Sequence, residues 1–511
     1  MLKTIFALAV MAAFAASAPA WADGTPCEGL AKLNLPHTEI TSATLIAKGA
    51  FTAPSGGGGG GAAAAAKLYA TLPAFCRVQI TSRPTSDSDI KIEIWLPAEA
   101  WNGRLQALGN GGYESNISYS GLAQTIQTGY AGVANNTGHV QADIETFAIG
   151  HPEKLKDWGY RASHEATVAA KQIIAAHYGS GPKYSYYNGC STGGRQGWVD
   201  AEYYPTDYDG LVVGDPSNPM TSQQAGHLWE HLATNKDEAS MIPREKFTMI
   251  HNTVMDECDA LDGLKDGLIA DPRQCKFNID SLLCKNGDAA DCLTAPQLEA
   301  LKKIVAGPKN PRTGEQITPG VPLGIPIQGI VDKNLDQSSW ATFRFLFQDP
   351  NWDYHNIDWD KDIVRAEELG KNVTDATDPS RLKQLFDHGG KMLLYHGWND
   401  SAVSPLVGIQ LYDQAVAANG GLSKTYNDMR LFMLPGMNHC GGGEGPNTFD
   451  KMGTLADWVE KGKAPDQIIA SHADATGKVD RTRPLCPYPQ VAKYKGSGSI
   501  DEAQNFECAK P

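Results

Sequence analysis

Residues 187–194 read Tyr-Asn-Gly-Cys-Ser-Thr-Gly-Gly, and Gly189-x-Ser191-x-Gly193 has the spacing of a nucleophile elbow. In that motif a serine sits on a sharp strand-to-helix turn, and small neighbours let the backbone fold tightly enough to expose the hydroxyl. A serine needs a base, and the base needs an orienting carboxylate. Two later stretches offer them. Lys391-Met-Leu-Leu-Tyr-His-Gly-Trp-Asn-Asp400 is an apolar strand running into a turn that ends on Asp400. Arg430-Leu-Phe-Met-Leu-Pro-Gly-Met-Asn-His439 repeats the design and ends on His439. Alone, Asp400 reads as a turn-forming residue and His439 as a satisfied loop histidine. Serine, acid and base in this order, each just past a strand, read together as a catalytic triad at the C-terminal edge of a parallel sheet. Cys190 precedes the serine and Cys440 follows the histidine. If Ser191 and His439 touch, these cysteines are close enough to bond. The rival reading of Cys190 is a catalytic thiol, but Ser191 holds the apex of the elbow.

The elements that must carry these residues are legible around them. Lys183-Tyr-Ser-Tyr-Tyr187 is strand-like and the residues after Ser191 are helix-compatible. Asp89-Ile-Lys-Ile-Glu-Ile-Trp95 alternates as a strand does. Arg104–Leu108 is a strand running into Gly109-Asn-Gly-Gly112, where this design places one oxyanion donor, Gly111 or Gly112, opposite the N–H of Thr192. An ordinary hairpin turn is the plainer reading of those glycines. Residues 163–177 form an amphipathic helix before the elbow strand, and residues 205–219 read as loop, buried strand and turn. Gly56–Gly61 followed by Ala62–Ala66 reads as a loop between strands. The pattern as a whole predicts an α/β-hydrolase core, a doubly wound and mostly parallel sheet. Asp400 stands 209 positions after Ser191, more than a few βα units require. Residues 220–385 are therefore read as an inserted lid domain. It divides the core into residues 23–219 and 386–511. The tail helix ending at Pro465 completes the second part.

The Cys-Ser-x-Gly-Gly elbow, the Gly-Trp-x-Asp turn and the Asn-His-Cys-x-Gly segment resemble the tannase/feruloyl esterase family of secreted α/β-hydrolases. That family includes terephthalate-monoester hydrolases. The resemblance covers nearly the whole mature chain. It implies a bond between Cys190 and Cys440 and an ester substrate with an aromatic acyl group such as ferulate or gallate. The family usually has small apolar residues after the glycine at 214; here Asp215 and Ser217 stand instead, which alters that side of the pocket.

Cys258-Asp-Ala-Leu-Asp-Gly-Leu-Lys-Asp-Gly-Leu268 spaces three carboxylates among turn glycines, which suits a hard cation wanting many oxygens. The spacing is not that of an EF-hand, and a solvated acidic loop is the alternative. The resemblance implies a structural calcium in the lid, held by the side chains of Asp259, Asp262 and Asp266 and the carbonyls of Leu264 and Leu268. No organic cofactor is expected.

Residues 1–22 read as a signal peptide: Lys3, an apolar run from Ile5 to Ala16, and the cleavage pattern Ala20-Trp-Ala22. No stretch reaches the roughly 18 apolar residues of a spanning helix. Ten cysteines are an even number, compatible with disulfides in an oxidising compartment, periplasmic or extracellular. Proximity pairs Cys258 with Cys275 and Cys284 with Cys292. Cys27–Cys76 and Cys486–Cys508 would close the two ends; the family uses a similar arrangement. The net charge of −14 argues against nucleic acid or an anionic membrane as partner; the partner that the resemblance implies is a small-molecule aromatic ester. Three other functions share these residues: a terephthalate-monoester or other aryl esterase, a peptidase or thioesterase with the same triad, and a calcium-stabilised binding protein without catalysis. The intact triad speaks against the last, and export against a coenzyme A thioester. The oligomeric state is not legible.

Overall fold

The computed structural model describes residues 24–54, 62–326, 337–371 and 373–510. The expected signal segment and the glycine tract at 56–61 lie outside them. Nine strands form one sheet: β1 (Thr38–Ile46), β2 (Phe75–Ser82), β3 (Ile90–Pro97), β4 (Arg104–Leu108), β5 (Ala131–Asn135), β6 (Tyr184–Cys190), β7 (Gly210–Gly214), β8 (Lys391–Gly397) and β9 (Met429–Leu434). Their order is β1-β2-β3-β5-β4-β6-β7-β8-β9. The first strands pair antiparallel, through β3 on β5. From β5 to β9 every pairing is parallel. This is the mostly parallel, helix-covered sheet expected of an α/β-hydrolase.

The central strands are buried on both faces, which explains their continuous apolar runs. Val212, Leu393 and Phe432 are fully buried on one face of the sheet, and Leu211, Val213, Met392 and Leu394 on the other. The helix Ala162–Tyr178 covers one face and the helix Lys451–Lys461 the other. Among the described residues, the chain between β7 and β8 adds no strand to this sheet. It supplies helices instead, including Met220–Thr234, Arg244–Cys258, Ala295–Ala306 and Gln337–Phe347.

One local expectation is corrected. Ala62–Ala66 is not a loop; it opens the helix Ala62–Ala70. Alanine is the best helix former, and Tyr69 anchors the helix edge-on against Phe51, with ring centroids 5.1 Å apart. The aromatic stretch 340–347 packs beyond the chain between β7 and β8. Phe343 and Phe345 are fully buried in a cluster that includes Tyr113, Phe147 and Trp158 from the first part of the chain. Residues from before β6 and from between β7 and β8 share that core.

Candidate active site

The elbow is built from close approaches. β6 ends at Cys190, Ser191 sits at φ 63° and ψ −125°, and the helix Thr192–Tyr203 starts at the next residue. A non-glycine residue at positive φ is sterically costly and clusters where function requires it. A Cβ on Gly189 would lie 2.4 Å from the Gly193 carbonyl oxygen, so only glycine fits there. Backbone bonds fix the serine: its N–H donates to Gly214 O at 3.0 Å, and its carbonyl accepts from Arg195 N–H at 2.9 Å.

The glycine-rich turn after β4 lies directly on the elbow. A Cβ on Gly193 would meet Gly109 Cα at 3.1 Å and the Asn110 carbonyl oxygen at 3.0 Å. Gln196, one turn along the elbow helix, accepts the Asn110 N–H at 3.0 Å and so pins the turn. Gly112 adopts φ 44°, and no heavy atom stands within 4 Å of where its Cβ would be. Thr192 is the first residue of its helix, where a backbone N–H has no intrahelical acceptor. The Gly109-Asn110 end of the turn thus packs on Gly193, the residue after Thr192.

Asp400 lies in the turn after β8 and is fully buried. Its Oδ1 accepts the N–H groups of Ala402 and Val403 at 2.8 and 2.9 Å. Its Oδ2 accepts from His439 Nδ1 at 2.8 Å. That bond places a proton on Nδ1 and leaves Nε2 as the basic nitrogen. Burial by itself would push the Asp400 carboxyl up. The hydrogen bonds from His396 and His439 and their charge overcome it and hold the group well below the usual carboxylate range. Burial alone would lower His439, but the bond to Asp400 and the charge of that carboxylate raise it.

Cys190 and Cys440 are bonded, with Cα atoms 5.9 Å apart. The bond ties the residue before Ser191 to the residue after His439. The other cysteines pair as Cys27–Cys76, Cys258–Cys275, Cys284–Cys292 and Cys486–Cys508, and no described cysteine is free.

Two buried neighbours of the triad were missed as site residues. His396 Nε2 donates to Val403 O at 2.9 Å and stands 3.4 Å from Asp400 Oδ2. Its position four residues before Asp400 was the available signal. Asp215 reaches the same place from the end of β7.

The chain between β7 and β8 is hydrogen-bonded next to Asp400 and next to the glycine-rich turn. Gln223 Nε2 donates to Ala402 O at 2.9 Å, and His227 Nε2 lies 2.7 Å from the same oxygen. On the other side, Tyr113 OH meets Thr342 Oγ1 at 2.6 Å, one residue past the Gly111-Gly112 turn.

The acidic loop follows the helix Arg244–Cys258, and its last residue, Leu268, packs against Gly436 in the turn that leads to His439. Asp259 accepts the N–H groups of Asp266 and Gly267, and Asp262 that of Leu264. Asp266 Oδ1 accepts the N–H of Leu268, and Oδ2 pairs with Arg483 at 2.5 Å. Burial, with the charges of Asp266 and Asp259 adding to it, pushes the Asp262 carboxyl up to about 6. Among the described residues, the ligating trios whose atoms come within 4.8 Å of one another lie at the triad and not in this loop.

Comparison with known proteins agrees with the geometry. The family described as tannase and feruloyl esterase matches residues 76–509. The chain is 32% identical to the mono(2-hydroxyethyl) terephthalate hydrolase of Piscinibacter sakaiensis, over 86% of each protein. It is 31% identical to a probable feruloyl esterase B-1 of Aspergillus terreus, over 85% of this chain and 86% of that one. The crystal structure of feruloyl esterase B from Aspergillus oryzae superposes with a TM-score of 0.86 at 27% identity, covering 94% of this chain and 99% of that one. The chain belongs to the tannase and feruloyl esterase family and is a carboxylic ester hydrolase.

Proposed function

We propose that this protein is an exported serine esterase that cleaves esters of aromatic acids, of the feruloyl or galloyl type. The observation that carries the reading is the 2.8 Å bond from His439 to a buried Asp400, tied by a disulfide to a serine on a strained elbow. In this reading Ser191 attacks the ester carbonyl while His439 Nε2 takes its proton. Asp400 stabilises the imidazolium, and the N–H groups of Thr192 and of Gly111 or Gly112 receive the oxyanion. His439 then protonates the departing alcohol, and water releases the acyl group. The terephthalate-monoester hydrolase among the relatives supports a second acyl group, a benzene dicarboxylate. Five disulfides fit an oxidising compartment. Among the described residues, no helix is long and apolar enough to cross a membrane.

The insertion is the lid in this reading. Its bonds to Ala402 and Tyr113 support a role in shaping the acyl pocket. Chromatography of products from feruloyl, galloyl, hydroxyethyl-terephthalate and acetyl esters tests the assignment. Faster hydrolysis of at least one aromatic acyl ester than of the acetyl ester is expected. A preference for acetyl over all three would overturn the aromatic reading.

The acidic loop is the calcium site of this reading. Its donors are hard oxygens: the carboxylates of Asp259, Asp262 and Asp266 with the carbonyls of Leu264 and Leu268. The raised Asp262 carboxyl is what a bound cation would relieve. A cation there would hold the lid's geometry through charge alone. Metal bound only by the folded state stabilises by mass action. Chelation should therefore lower the melting temperature by a few degrees while changing the rate well below melting by less than about twofold. Asp262→Asn should copy the chelator in differential scanning calorimetry. Lost turnover with no thermal shift would make the metal catalytic instead.

A further inference from the structure

Asp215 is a buried acid beside Asp400 and His439 that the triad as described does not use. It follows β7 at φ 37° and is fully buried. Its Oδ1 accepts the N–H of Gly397, which closes β8 before the Asp400 turn, at 2.9 Å. The same oxygen stands 3.7 Å from His396 Nε2, which also faces Asp400. One ligating atom from each of Asp215, Asp400 and His439 falls within 4.8 Å of the others. Asp215 Oδ2 lies 3.2 Å from Cys190 Sγ. That sulfur belongs to a disulfide and has no proton to give. The contact is a hydrogen bond only when the Asp215 carboxyl carries the proton and donates it.

Two carboxyls this close and this dry do not both ionise cheaply. Asp400 keeps the charge, because two backbone N–H groups and His439 donate to it. Asp215 has the N–H of Gly397. Burial pushes its carboxyl up and the charge of Asp400 adds to this, while His396, His439 and the Gly397 N–H oppose it. Tyr395 from β8 and Lys451 from the helix over it also feel its charge.

We propose that Asp215 is a positioning residue of this active site, a second buried acid that braces the Asp400 turn and couples its own proton to that of His439. The proposal rests on the triad reading. Its bracing arm runs through Gly397; its electrostatic arm runs through the few ångströms separating the two acids from His439. The sign follows from charge. An ionised Asp215 favours the imidazolium, so His439 gives up its proton at higher pH than it would beside a neutral group. Free-enzyme activity, read as kcat/KM, requires the neutral imidazole.

The test is the pH profile of kcat/KM for aryl-ester hydrolysis in Asp215→Asn and Asp215→Ala. The amide of Asp215→Asn can still accept from Gly397 and donate to the sulfur, but it cannot ionise. Its acid limb should move down by about 0.5–1 pH unit, with kcat lowered roughly 3–10-fold for imperfect bracing. Asp215→Ala loses the brace as well, so kcat should fall roughly 10–100-fold with KM held within about twofold. An acid limb unmoved in Asp215→Asn, whatever its kcat, overturns the proposal. If Ser191→Ala is inactive beside that result, the triad stands and only the role of Asp215 falls. Should Asp215→Asn not fold, NMR titration of the His439 imidazole in the unmodified chain decides. Two coupled steps support the pairing, and a single step overturns it.

Discussion

Ser191→Ala is expected to lower aryl-ester turnover on the order of 10⁴-fold or more while the chain folds as before. The hydroxyl is the attacking group in the proposed reaction, and its removal leaves only a small change in volume. The fold does not depend on it: Ser191 is held through its own N–H and carbonyl, which alanine retains. The residual rate would come from oxyanion binding by Thr192 and the glycine turn. Single-turnover measurement with a chromogenic aryl ester, alongside a circular dichroism melt, checks both halves. Turnover near that of the parent enzyme would remove the serine mechanism, and with it the reading of Asp400 and His439.

The second large effect is expected from Cys190→Ala/Cys440→Ala. The bond between these residues joins the flanks of the proposed nucleophile and base, which come from β6 and from the loop after β9. β7 and β8 lie between those two strands in the sheet, so no backbone hydrogen bond joins them directly. His439 is half-buried in a loop rich in glycine at positive φ, including Gly441, Gly442 and Gly443. Without the covalent link its imidazole gains room to move. A misplacement of about 1 Å can cost about 100-fold in rate. The double variant should therefore lose kcat by about that factor, with KM nearly unchanged because the acyl pocket is intact. Equal losses in kcat and KM would show that the link shapes the pocket instead. Peptide mapping under non-reducing conditions should find the two cysteines joined in the parent chain.

Much of this site could be read from the chain because its chemistry is local. Gly189, Ser191 and Gly193 make their turn among themselves, and Asp400 and His439 each follow their own strand. The adjacency of Cys190 and Cys440 to the reacting residues carried distance information that a chain seldom offers. Asp215 and His396 were different. Their meeting depends on the parallel register of β7 on β8, which sets Gly214 opposite Tyr395 and so brings the next residues together. No pattern within either strand reveals that. The shared core of Tyr113, Trp158 and Phe345 is hidden for the same reason, since it joins residues 187 to 232 positions apart. The alanine tract reads as a loop on its low complexity, but its residue type favours the helix it forms.

The Cys190–Cys440 bond also decides what a single cut would do to this protein. Lys236, Asp237, Glu238 and Ala239 form an exposed loop after the helix Met220–Thr234. A trypsin-like protease acting after Lys236 would leave Ser191 on one fragment and Asp400 with His439 on the other. Cys27–Cys76 lies wholly within the first fragment, and Cys258–Cys275, Cys284–Cys292 and Cys486–Cys508 wholly within the second. One covalent bond would then span the cut, and it is the one beside the reacting groups. A molecule nicked there would keep its serine and histidine tethered by that bond, so a cut in this exposed loop would part neither from the other.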